Sequence, residues 1–174
     1  MSVQTNFVPE SDQAKVRSYM SAHISPQCFE RMLRVAIELK LPVIVDKVEP
    51  AGYIWEKYRP KLKRVVYMLS DTRMKLSNLD HTAEDYFMFD PIITYDSLHE
   101  TRDELIRSIP TSRLLICSNG PEHIPSSPAT KLSTTHPGFN QLALPILADV
   151  HKTTIPKISS LLVSNFDAAF CSPM

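Results

Sequence analysis

Each of three aspartates closely follows a short apolar run: Asp46 after Val43-Ile44-Val45, Asp71 two residues beyond Leu69, and Asp96 after Ile92–Tyr95. In an open parallel sheet the carboxyl ends of the strands share one rim, so carboxylates at those positions can converge and hold Mg²⁺ through oxygen ligands. Such a centre would serve hydrolysis of a phosphate ester. The same residue types also follow strands for a structural reason, because Asp, Ser and Asn cap the next helix or close a turn.

A second group interleaves positive charge with aromatic rings. Trp55, Lys57, Tyr58, Arg59, Lys61, Lys63 and Arg64 crowd into ten residues, and phosphate contacts combined with base stacking are what single-stranded RNA binding uses. The alternative is an amphipathic helix that lays Trp55, Tyr58 and Leu62 on a sheet and leaves its cations in water. Pro60-Lys61-Leu62-Lys63-Arg64 also has the look of a weak nuclear-import signal. Phe166 and Phe170, one helical turn apart near the C-terminus, are candidate anchors for a partner's groove or for exchange between copies of the chain.

Other chemistry is disfavoured by what the chain lacks. Gly52, Gly120 and Gly138 are its only glycines, so no dinucleotide fingerprint, P-loop or nucleophile elbow can be drawn. Cys28, Cys117 and Cys171 have neither zinc spacing nor an even count for a disulfide framework. The histidines are dispersed. His23-Ile24-Ser25 and His151-Lys152-Thr153 imitate the paired motif of two-histidine phosphoesterases, but Ser25 before Pro26 reads as a helix cap. Glu38-Leu39-Lys40 imitates a nuclease strand motif from inside a helical pattern, and Cys28 near His23 reads as a small apolar residue rather than an activated thiol. No cofactor is indicated.

Nineteen basic and nineteen acidic residues cancel overall. They are segregated locally, with residues 57–75 basic and 80–104 acidic, a pattern that suits pairing with a protein partner, with a second copy, or within the chain. No apolar run is long enough to span a bilayer, and the N-terminal residues do not have the order of a secretory signal. A cytoplasmic or nuclear setting follows as the expectation.

The elements that must position these residues are legible from periodicity. Helical spacing is expected over 12–23, from Pro26 to before Pro42, over Tyr53–Lys61, near Thr82–Phe89, and over Leu98–Ile109 with Ser97 and Glu100 as a capping box. Val43–Val45, Val65–Leu69, Ile92–Tyr95 and Leu114–Cys117 read as buried strands. Strands alternating with helices give an α/β fold: one domain with a short, mostly parallel four-stranded sheet flanked by helices on both faces and a C-terminal amphipathic helix. The α/β core is expected over 1–117. Residues 118–137, rich in Pro, Ser and Thr, read as a mobile loop, and 138–174 as a helical segment packed on the core, bent at Pro145 and ending in the stripe Ile158, Leu161, Leu162, Phe166, Ala169, Phe170.

With no catalytic motif in view, the expected function is non-enzymatic binding of another macromolecule, as an adaptor or accessory protein, including a host-interacting viral one. RNA binding through residues 55–64 and a Mg²⁺-dependent phosphoesterase built on Asp46, Asp71 and Asp96 are the alternatives.

Overall fold

The computed structural model describes residues 25–46, 52–71, 75–95, 99–120, 123–126, 132 and 134–171. The helix expected over 12–23, the Ser97 cap and Asp96 lie outside them.

Helix α1 (Pro26–Glu38) starts where the sequence says it should. The Ser25 hydroxyl accepts from the Cys28 amide at 3.2 Å, and Pro26 occupies the first turn, where its missing N–H costs nothing. Leu33 is buried, with Phe29, Ala36 and Ile37 packed on the core. After α1, Lys40 takes a left-handed backbone (φ 52°) and the Leu41 amide returns to the Ala36 carbonyl at 2.8 Å. That reversal delivers the chain into strand β1 (Val43–Asp46).

Helix α2 (Gly52–Tyr58) runs on into a 3-10 turn, Arg59–Lys61, before strand β2 (Val65–Leu69). Strand β3 is Tyr86–Phe89, helix α3 is His99–Ser108, and strand β4 is Leu114–Ile116. A 3-10 segment, Pro137–Ala143, leads into helix α4 (Leu144–Val150), and helix α5 (Ile155–Phe166) ends in a π-helical turn, Asp167–Cys171. Pro145 and Pro156 both sit in a first turn, so Pro145 opens α4 instead of bending it.

All pairings in the four-stranded sheet are parallel and the order is β1-β2-β3-β4. The α/β class and the parallel sheet expected from the sequence are present. One strand is not where the periodicity put it. Residues 92–95 were expected to pair, yet Pro91–Thr94 form a 3-10 turn and the pairing strand is Tyr86–Phe89, inside the expected helix. Two forces decide this. A Tyr-Phe-Met-Phe run favours a pleated, buried surface. Pro91 has no N–H to give a ladder and is pre-set for a first helical turn, which the Asp90 carboxylate caps by accepting from the Ile92 amide at 2.9 Å.

Stepping β1 to β4 in one direction with right-handed crossovers places every crossover on the same side, the winding of successive units in a (β/α) barrel. The two faces of the sheet differ accordingly. Val65, Tyr67, Leu69, Phe87, Phe89 and Leu114 face the helices and meet Leu33, Ile54, Leu105, Ile106, Leu147 and Ile158. The opposite face carries Val66, Met88 and Leu115, and among the described residues it is met only by the π turn, through Ala169 and Phe170. Arg64 ties that turn down by donating from Nη1 to the carbonyls of Ala168 (2.7 Å) and Ala169 (3.0 Å).

Candidate functional site

The carboxyl ends of the strands form the rim that the sequence anticipated, but the residues gathered there are only partly the expected ones. β1 ends in Asp46, whose carboxylate accepts from the Ser70 hydroxyl at 3.1 Å across the gap to β2. Asp71 follows, half-buried. No three His, Cys, Asp or Glu side chains converge as a metal cluster among the described residues, and Asp96, the third member of the expected Mg²⁺ site, lies outside them.

β3 delivers what the sequence reading overlooked. Asp90, the first residue after Phe89, has a fully buried side chain. One carboxylate oxygen caps the Pro91–Thr94 turn, and the other accepts from Asn119 Nδ2 at 2.9 Å and contacts His123 Nδ1. Asn119, beyond β4, holds a left-handed backbone (φ 37°), a conformation that Asn tolerates better than most residues because its short amide bonds locally. The His123 side chain keeps 30% of its surface exposed. A buried carboxylate on Nδ1 selects the tautomer that leaves the Nε2 lone pair free to take a proton.

The described residues 123–126, within the loop expected over 118–137, are hydrogen-bonded to the 3-10 turn that follows β3. Tyr95 donates its hydroxyl to the Ile124 carbonyl at 2.7 Å, and Thr94 Oγ1 accepts from the Ser126 amide at 2.7 Å. A small chamber of about 10 Å³ lies behind Asp90, lined also by Cys117, Phe139 and Asn140, room for about one water. Asn140 Oδ1 is buried there without a protein partner among the described residues. Burial pushes the Cys117 thiol up to about 12, and the Asp90 and Asp46 charges add to the effect. Thiolate chemistry at this rim is thereby suppressed.

Signals for this site existed in the sequence. Asp90-Pro91 follows a run of aromatic residues, and Asn119-Gly120 follows β4. Reading 82–89 as a helix moved the end of the third strand from Asp90 to Asp96, and with it the carboxylate to watch.

The basic and aromatic group is placed differently from what RNA binding requires. Trp55 and Tyr58 are buried in the helix-side core, so neither presents a free ring face. The Tyr58 hydroxyl donates to Glu30 Oε1 at 2.5 Å and accepts from Arg34 Nε at 2.9 Å, and Lys57 Nζ reaches the same Glu30 oxygen at 3.1 Å. Hydrogen bonds from Tyr58, Arg34 and Lys57 hold the Glu30 carboxyl down at about 2. Arg59 is buried against Asp85, and Arg64 is buried against the π turn. Only Lys57, Lys61 and Lys63 of the group remain exposed. Charge segregation between 57–75 and 80–104 is thus spent at least once within the chain, in the Arg59–Asp85 pair.

Phe166 is exposed and Phe170 is half-buried, their rings 5.1 Å apart. Cys28 and Glu38 both lie on α1, His151 follows α4, and His23 is outside the described residues. The two-histidine arrangement therefore has no strand to support it at His151. No described helix is long and apolar enough to cross a membrane.

No family model matches this chain, and no curated protein matches it in sequence. Solved structures do match in fold. One is the 1.8 Å crystal structure of YjjV, a TatD homolog from Escherichia coli K12, at a TM-score of 0.66 and 15% identity, covering 99% of this chain and 63% of that one. This chain thus spans less than two thirds of that structure's length. The likeness corrects the expectation of a non-enzymatic binding module: the chain shares its fold with a TatD homolog, and a lack of catalytic motifs does not set such a fold apart as a binding module. The reason lies in how such folds work. Their sites are assembled from loops at strand ends and need no glycine-rich motif, so the missing motifs excluded less than the sequence reading allowed.

Proposed function

We propose that the chain is a hydrolase in which His123 activates a water molecule at the sheet's carboxyl rim. The observation that carries this reading is the buried Asp90 carboxylate, which holds both His123 Nδ1 and Asn119 Nδ2 at the end of β3. The position supports it too, since strand-end loops are where folds of this winding place their chemistry.

In this reading His123 Nε2 removes a proton from water as the oxygen attacks an acyl carbon. The tetrahedral intermediate then expels its alcohol, which takes the proton back from the imidazolium. Asp90 holds the ring through Nδ1 and stabilises the imidazolium formed between the two steps. Asn119 is a positioning residue, fixing the carboxylate that fixes the ring. Asp46 and Asp90 make the rim electronegative, which favours an uncharged carboxylic ester over a phosphate.

The test is turnover of p-nitrophenyl acetate, p-nitrophenyl butyrate and p-nitrophenyl phosphate by the purified chain. Ester hydrolysis is expected to fall about 100-fold or more in His123→Ala, with the circular dichroism spectrum unchanged. Asp90→Asn should lose activity at saturating substrate with little change in KM, because it misorients the base without touching substrate. Undiminished turnover in His123→Ala, or a preference for the phosphate, would overturn the reading.

A further inference from the structure

At the opposite, amino end of the strands lies a cleft of about 390 Å³, within the size range of small-molecule sites. Its floor is apolar, made by Ala36 and Ile37 of α1 and by the buried Leu62 that precedes β2, with Leu41 at one side. Its walls carry Lys40, Lys61 and Lys63, all exposed. None of the three forms an ion pair with an acidic side chain among the described residues, whereas neighbouring Lys57 is paired with Glu30. Lys61 lies with its ammonium 5.4 Å from the Tyr58 ring centre.

A second observation points to the same place. Lys40 stands at the position after a helix where glycine is the usual residue, and it adopts the left-handed φ of 52° that glycine adopts without penalty. A lysine kept in that strained conformation at the mouth of a cleft is the kind of local cost that functional sites retain. The Val35, Ala36 and Ile37 carbonyls at this end of α1 are already satisfied by the amides of Leu39, Leu41 and Lys40, so an incoming anion does not face those three as open acceptors.

We infer that this cleft binds an amphipathic monoanion, a medium-chain carboxylate whose tail lies on Ala36, Ile37 and Leu62 and whose head group is held by Lys40, Lys61 and Lys63. The inference is independent of the His123 site, which is at the other end of the sheet.

Isothermal titration of the full chain with decanoate, below its micellar concentration, tests it. One saturable site is expected, with decanol and inorganic phosphate each binding about tenfold more weakly or worse, since each lacks one half of the recognised chemistry. Lys63→Glu should weaken decanoate about tenfold. Lys40→Gly should weaken decanoate while raising the melting temperature, a pairing of effects that damage to the fold does not produce. Equal affinity for decanol, unchanged affinity in either variant, or binding to anionic lipid vesicles with none to free decanoate would overturn the assignment.

Discussion

Asp85 is the most heavily committed polar residue in the described chain. Its buried carboxylate accepts from the Val65 amide at 2.7 Å, the Thr82 amide at 2.6 Å and the Thr82 hydroxyl at 3.2 Å, and it pairs with the buried Arg59 guanidinium. Arg59 in turn donates to the Asp80 carbonyl at 2.8 Å and to the Tyr67 hydroxyl at 3.2 Å. The network joins the starts of β2 and β3 at the end of the sheet away from the rim, where such residues serve stability rather than chemistry. Asp85→Ala should therefore destabilise by about 3–5 kcal/mol in urea unfolding, because it strands a buried guanidinium, while Arg59→Met combined with Asp85→Leu should recover much of that loss. A loss no greater than that of a surface substitution would show the pair to be hydrated. Neither partner announced this role in the sequence. Arg59 read as one cation of a basic stretch and Asp85 as one acid among several, since nothing local distinguishes a charge that will be buried from one that will be solvated.

At the scale of elements, the sequence was readable wherever periodicity and punctuation agreed. α1 had a serine cap, a first-turn proline and a clean apolar stripe, and β1, β2 and β4 were short β-branched or aliphatic runs between polar residues. The third strand failed because Ile92-Ile93-Thr94 matches a strand by composition, whereas Tyr86–Phe89 is aromatic and was absorbed into a helical pattern. What settles the matter is tertiary: Phe87 and Phe89 are fully buried between the sheet and the helices, while Ile92 only packs at the edge of that core. Phe87→Ala should cost about 3–5 kcal/mol, and Ile92→Ala distinctly less. The reverse ranking in chemical denaturation would restore the strand to 92–95. The error propagated to function, since the residue after the true strand is Asp90, the hub of the proposed site, and His123 sits in a Pro-rich stretch that gives no periodic signal at all.

For the whole molecule, alternation of strands and helices gave the parallel sheet but not the direction in which it winds. That direction leaves helices on one face and a π turn as the described cover of the other. Arg64 is the tether, reaching the carbonyls of Ala168 and Ala169 from the start of β2 and lying 5.8 Å from the Tyr86 ring centre. Arg64→Met should release the turn. Hydrogen exchange is then expected to show lost protection at residues 168–171 with β2 and β3 unchanged. Equal loss across the sheet would mean that Arg64 supports the core rather than the cover.

The one-way order of the sheet also bears on how such a chain can vary. Among the described residues each strand lies beside its sequence neighbour, so β1 and β4 are the margins of the described sheet and no interior strand in it is inserted out of turn. A margin of this kind offers backbone amides and carbonyls at the spacing the next strand needs, and another crossover and parallel strand added there would repeat a step already taken three times. An architecture assembled by repetition in a single sense can be lengthened or shortened at its margins without rewriting the hydrophobic code of the units between them.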